Sequence, residues 1–198
     1  MRTGRAVAAV VALAWACAGW CTSTEAATRP LASAEEIEAR AVEMAAAARH
    51  TSAAGRKAAR ALVAEGDVAY RAGRYDDAHR FFDEVAPNAP GAYALLMTAD
   101  SHWRAAVAYG RTQPGNCRLQ RRYFVDDLRL DLDQGYLLGL SLARIEPGHP
   151  LLGLGLLSRA RDSAVCLKRL ADELEPQASE TCVDEARIAA CLGEPLHR

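Results

Sequence analysis

The stretch over residues 66–90, GDVAYRAGRYDDAHRFFDEVAPNAP, combines two helical patterns with residues that interrupt helices. Apolar residues recur at helical spacing on both sides of Gly73, and predict one helix over about 54–72 and another over 75–85. Gly73 permits a tight turn between these helices. Pro87 and Pro90 mark a further turn, because proline cannot continue a helix. The stretch therefore predicts a helical hairpin.

This hairpin resembles the tetratricopeptide repeat, a unit of about 34 residues. The resemblance covers residues 59–90, with one departure at Ala69, where the family usually carries an aromatic residue. It implies that small residues let the two helices approach closely, and that Phe82 fills their interface. The residues that match the family are Gly66, Tyr70, Gly73, Tyr75, Ala78, Phe82 and Pro90.

Helical periodicity also dominates the rest of the chain, and strand patterns are nearly absent. Ser33 and Glu36 form a capping box that predicts the start of a helix ending near Arg49. The region 117–145 is expected to form two helices with a break near Gln134 and Gly135, and Gly193 is expected to cap the last helix. The remaining helices are predicted over 92–111, 151–174 and 179–192.

The fold class that follows is all-α over residues 27–198. Residues 93–110 resemble the first helix of a next repeat, and 140–150 resemble the end of another. One hairpin cannot bury its own apolar face without such neighbours. We therefore expect stacked antiparallel helical hairpins, similar to a short α-solenoid, with a C-terminal helix stapled by disulfides.

The first 26 residues are typical of a secretory signal peptide. Arg2 and Arg5 precede the apolar run Ala6–Ala16, which is too short to span a membrane. Cleavage after Ala26 would give a soluble exported protein, periplasmic or extracellular. The alternative is a lipoprotein acylated at Cys17. Abundant alanine and arginine indicate a bacterial genome rich in GC.

Cysteine parity favours soluble export. Cleavage after Ala26 would leave four of the six cysteines, an even set suited to an oxidising compartment. Cys182 and Cys191 are expected on one helix, about 13 Å apart along its axis, too far to bond to each other. An antiparallel hairpin closing near residues 174–179 favours Cys166–Cys191 and Cys117–Cys182 over the remaining pairing.

The sequence predicts no cofactor, no metal site and no catalytic residues. A net charge of −1 provides no field that would attract nucleic acid or anionic lipid. Asp131 and Asp133 resemble the start of a calcium loop, but its later acidic ligands are missing, which favours solvated side chains at a helix end. The histidines are scattered along the chain, without metal-ligand or nucleophile motifs.

The resemblance also implies a peptide-binding groove along the first helices of the repeats. Arginines in such a groove suit a carboxylate or an acidic peptide. We expect a non-enzymatic binding module of the bacterial cell envelope, whose partner is a protein or peptide. The alternatives are an inhibitor of an envelope hydrolase and a cell-wall enzyme whose site forms only in three dimensions. The residues expected to face the groove are Arg60, Val63, Asp67, Tyr70, Arg71, Ala94, Met97, Ser101 and Arg104.

The signal-peptide prediction can be tested by the intact mass of the protein purified from the cell envelope. We expect the mass of a chain that begins at Ala27, because small residues precede the expected cleavage site. We also expect no free thiol, because cleavage there leaves an even number of cysteines. A retained Met1 would contradict this prediction, and a diacylglyceryl group on Cys17 would support the lipoprotein alternative.

Overall fold

The computed structural model describes residues 31–85, 89, 91–112, 128–146, 149, 152–174 and 184–196. In these residues all the regular structure is helical, which confirms the all-α prediction. The helices are α1 (Ala34–Arg49), α2 (Ala53–Arg71), α3 (Tyr75–Asp83), α4 (Ala92–Thr112), α5 (Leu128–Asp131), a π-helical segment (Leu132–Leu137), α6 (Leu138–Ile145), α7 (Leu154–Leu174) and α8 (Glu185–Leu192). None of the described helices is long and apolar enough to cross a membrane.

The predicted capping box is present at the start of α1. The Ser33 hydroxyl accepts the Glu36 N–H at 3.2 Å, and the Glu36 carboxylate accepts the Ser33 N–H at 2.7 Å. These bonds satisfy two N–H groups that the first turn of a helix leaves without partners. The start of α1 is therefore determined locally.

The hairpin of α2 and α3 forms where the opening stretch predicts it. A Cβ placed on Gly66 would lie 2.6 Å from Cε1 of Phe82, so the two helices meet too closely for any larger residue. Gly73 has a φ of 72°, which makes the turn that glycine favours. Ala78 and Phe82 are fully buried in the contact between the helices.

The break predicted near Gln134 and Gly135 is wrong. The chain remains helical from Leu128 to Ile145. The π-helical segment joins the α-helical parts on either side without interrupting the helix. Gly135 serves close packing instead, because a Cβ there would lie 2.3 Å from the Cβ of Ala99 on α4.

The two acidic side chains before Gly135 are not the solvated groups that the sequence suggests. Asp131 lies 2.6 Å from a ring nitrogen of His102, and Asp133, which is buried, accepts the Ala32 N–H at 3.0 Å. Both carboxylates therefore make contacts with distant parts of the chain, which their local pattern could not indicate.

Helix α4 is central to the packing. It contacts α3, the π-helical segment, α6 and α8, while α1 packs against α6, far along the chain. In a simple linear array each unit contacts only its neighbours. Here, instead, α8 packs against α4 and α1 packs against α6, although the helices of each pair are far apart along the chain.

The C-terminal helices are joined by a disulfide between Cys166 and Cys191, which confirms the predicted pair. The other expected pair, Cys117–Cys182, lies outside the described residues. Helix α8 begins at Glu185, capped by Asp184, later than predicted. The expectation that Cys182 shares a helix with Cys191 concerns a residue outside the described ranges. Gly193 ends the helix as predicted, with a φ of 56°.

Replacing Gly66 with alanine should destabilise the protein by about 1–3 kcal/mol, because the new methyl group would overlap a buried Phe82 ring. Gly155→Ala is the matched control, since no atom lies within 4 Å of its position. It should leave the protein as stable as the wild type or more stable, because alanine favours the helix. Urea unfolding of both variants checks this; equal stabilities for the two would contradict the close contact.

Candidate functional site

Most of the residues expected to face a groove lie inside the protein. Asp67, Tyr70, Met97 and Ser101 are buried, and the Arg104 side chain is only 10% exposed. Ala94 is buried too, Val63 is half-buried, and Arg60 and Arg71 are exposed. An open groove along α2 and α4 is therefore wrong for the larger part of its predicted length.

The C-terminal part of the chain covers this surface. Tyr70 and Met97 belong to one core cluster with apolar residues of α7, α8 and the segment that follows α8. An apolar helix face is stable when another part of the protein buries it. Here that part is the C-terminal region of the same chain. The C-terminal members of this cluster include Leu156, Ala160, Leu167, Ile188, Leu192 and Leu196.

A buried carboxylate organises the polar groups beneath this covering. Asp100 is 0% exposed and accepts hydrogen bonds from the hydroxyls of Tyr70 and Tyr136, the latter at 3.0 Å. Arg104 lies one turn further along α4, and its Nε donates to Asp100 at 2.7 Å. The burial of Arg104 opposes its charge, but Asp100 outweighs this effect and raises the pKa of the guanidinium. The carboxylate is therefore both hydrogen-bonded and neutralised.

Arg104 also holds the segment that follows α8. Its two terminal nitrogens donate to the carbonyls of Leu192, Gly193 and Glu194 at 3.1–3.2 Å. The Tyr70 hydroxyl accepts the Leu196 N–H at 3.0 Å. The groups expected to bind a partner's main chain or carboxylate thus bind this chain's own C-terminal segment.

Burial raises the pKa of three tyrosines. For Tyr70 and Tyr136 the charge of Asp100 adds to the effect of burial. Tyr93 donates to Asp67 at 2.5 Å, and this hydrogen bond adds to the effect of burial on its pKa. In each case the neutral phenol is the form that the folded protein stabilises.

One end of the predicted groove remains open, as a cavity of about 310 Å³ that we call the α2–α4 cavity. Arg60 and Val63 line it from α2, and Ala94 lines it from α4. Arg56 and His149 add polar groups to the lining, and the His149 ring stacks on Tyr93 at a centroid distance of 4.2 Å. Three of the residues expected to face a groove, Arg60, Val63 and Ala94, thus line one cavity.

The charges around the α2–α4 cavity differ in how they are paired. Glu146, which also lines it, forms an ion pair with Arg49 at 3.4 Å. Arg56 donates to the carbonyl of Thr51. Arg60 makes no ion pair or side-chain hydrogen bond with another described residue. Its guanidinium is therefore the group best placed to bind an anion from outside.

A second cavity of about 700 Å³ lies between α3 and α4, and we call it the histidine cavity. His79 and His102 line it with their rings stacked at a centroid distance of 4.8 Å. No sequence pattern indicates this pair, because the two residues lie on different helices. His102 and Asp131 resemble an oriented general base, but the described lining contains no Ser, Thr or Cys that could act as a nucleophile.

Metal binding has no candidate in the part of the chain that the structure describes. No group of three or more His, Cys, Asp or Glu side chains there is arranged to hold an ion. The residues that sequence reasoning missed are those joined by tertiary contacts, namely Asp100, Tyr136, His79 and His102.

The buried tyrosines predict a loss of stability in alkali. Above pH ~10 the unfolded chain releases phenolic protons that the folded protein retains, so the free energy of unfolding falls as pH rises, by about 1.4 kcal/mol per pH unit for each such tyrosine. Tyr136→Phe should reduce this slope, whereas Tyr109→Phe, at an exposed position, should not. Urea unfolding between pH 8 and 11 measures both. Identical slopes for Tyr136→Phe and wild type would contradict the assignment.

Comparison of the chain with known proteins provides no family and no relative on which to base a function. No protein-family model matches it, no curated protein matches it, and no solved structure matches it.

Proposed function

We propose that this protein is a non-enzymatic module that binds a peptide or a segment of another protein at the α2–α4 cavity. The proposal rests on one observation, which is that Arg60, Val63 and Ala94 line the same cavity. These residues come from two helices, and the resemblance to tetratricopeptide repeats implies that both helices line a binding groove. The site is smaller than the groove predicted from sequence, because the C-terminal segment fills the remainder.

The chemistry of the cavity favours a particular kind of peptide. Ala59, Val63, Val85 and Leu152 provide an apolar lining that suits an aliphatic side chain. Arg60 provides a guanidinium that can bind a carboxylate through two parallel hydrogen bonds. The ligand is thus an apolar residue next to an acidic residue or to a free C-terminal carboxylate. Arg71 and Arg104 do not line this cavity, so the three arginines do not form one site.

The disulfide is informative about the cellular compartment of the protein. The Cys166–Cys191 bond indicates an oxidising, exported environment. We place the protein in the bacterial cell envelope, as an adaptor, an assembly factor or a chaperone linked to secretion. In each of these roles a partner would present a short segment to the α2–α4 cavity.

Replacing Arg60 with glutamate tests the site. Peptides selected from a random displayed library would be synthesised with a free or an amidated C-terminus, and their affinities measured by calorimetry. Reversing the charge of Arg60 should raise the Kd of an acidic or free-acid peptide about tenfold. The affinity for the wild type should fall as salt increases, because the guanidinium is exposed.

Arg169→Glu is the matched control, since Arg169 is an exposed arginine on α7 that does not line the cavity. It makes the same change of charge and should leave the Kd unchanged. Thermal unfolding would show that both variants remain folded. If the two variants weakened binding equally, or if no selected peptide bound the wild type, the site would be refuted.

A further inference from the structure

The histidine cavity has the size of a small-ligand site. Its volume of about 700 Å³ falls within the usual range for such sites, about 300–1,000 Å³. Ala105 and Ala108 of α4 line it, and their short side chains leave the space unfilled. No lining residue is shared with the α2–α4 cavity, so the two spaces can be tested separately.

Aromatic rings make up much of the described lining. Tyr75 and His79 contribute from α3, and His102 and Tyr109 contribute from α4. Two of these rings, Tyr75 and Tyr109, are phenols, and the faces of phenol rings carry negative electrostatic potential that attracts cations. The aromatic lining therefore favours a cationic or apolar ligand over an anion.

His79 adds a hydrogen-bond acceptor. Its Nδ1 lies 3.3 Å from the carbonyl oxygen of Thr98. A carbonyl can only accept, so Nδ1 carries the proton in this contact, and the neutral ring then has its lone pair on Nε2. A ligand in the cavity that carries an N–H group can donate to this nitrogen.

The charges on α3 favour a cation as well. Asp76 and Asp77 both line the cavity. Asp77 is paired with Arg74 at 3.4 Å and with Arg80 at 2.7 Å. Asp76 is exposed and forms no ion pair with another described residue. The charge without a partner on this wall is thus a carboxylate.

We propose that the histidine cavity binds an organic cation that carries N–H donors, an ammonium or a guanidinium group. The carboxylate of Asp76 would pair with its charge, Nε2 of His79 would accept one of its N–H bonds, and Tyr75 would contact its apolar part. Such a group can belong to a free amine or to a lysine or arginine side chain of a partner.

The experiment uses the full-length protein and three probes. Benzylammonium represents a free amine, the blocked tripeptide acetyl-Gly-Lys-Gly-amide represents a lysine side chain, and benzyl alcohol is the uncharged control. Binding would be followed by NMR titration of the backbone amides of α3 and by calorimetry. We expect saturable shifts around Asp76 and His79 with benzylammonium, the peptide or both, and none with benzyl alcohol. Whichever cation binds more tightly identifies the source of the group.

Asp76→Asn should raise the Kd of the tighter cation about tenfold. Asp83→Asn, at an exposed aspartate of α3 that does not line the cavity, should leave it unchanged. His79→Asn keeps an N–H that can donate to Thr98 but removes the Nε2 acceptor, and should raise the Kd several-fold. The proposal is overturned if neither cation gives saturable shifts, if benzyl alcohol binds as tightly, or if Asp76→Asn and Asp83→Asn bind with wild-type affinity.

Discussion

The carboxylate of Asp100 is the group on which the rest of the structure depends. A charge that is fully buried is costly unless it is neutralised and hydrogen-bonded. Its partners come from three separate elements: Tyr70 of α2, Tyr136 of the π-helical segment, and Arg104 of α4 itself. Tyr70 and Tyr136 reach Asp100 only when their own elements pack against α4, whereas Arg104 lies one turn along the same helix. The carboxylate therefore selects one arrangement of these helices.

The same network determines how the C-terminal segment is held. Once Asp100 fixes Arg104, the remaining N–H groups of the guanidinium point to the carbonyls of residues 192–194. Leu196 is buried beside Tyr70, and the disulfide joins α8 to α7 just before this segment. Together these contacts close the surface that a helical repeat would present to a partner. The α2–α4 cavity is the part of this surface that stays open.

The α2–α4 cavity and the histidine cavity both occur where α4 carries small side chains. Ala94 lines the α2–α4 cavity, and Ala105 and Ala108 line the histidine cavity. Larger residues at these positions would fill the space, as Trp103 and Met97 do in the core between them. The cavities also differ in charge, since Arg60 in one and Asp76 in the other form no ion pair with another described residue. Such a division would allow α4 to position two ligands of opposite charge.

The sequence by itself determined the features that depend on short spacing. The Ser33–Glu36 capping box, the turn at Gly73, the close approach at Gly66 and the ends of most helices all arise from residues near one another along the chain, where propensity and steric fit act directly. The Cys166–Cys191 pair was also predictable, because the two cysteines lie at the same height along the antiparallel hairpin of α7 and α8. Three residues of the open cavity followed from the resemblance to a repeat.

Only the tertiary structure decided which part of the chain covers the predicted groove. It also decided which side chains pair with Asp100 and that His79 and His102 stack on each other. Tyr70, Arg104 and Met97 were expected to face a groove, yet they lie largely inside the protein, and the segment at the end of α8 binds Tyr70 and Arg104 directly. The His79–His102 pair and the donors to Asp100 join different elements, and no local pattern records such contacts. The physical reason is that burial and charge pairing are properties of the whole packed chain, and the spacing of residues within one helix does not specify its neighbours.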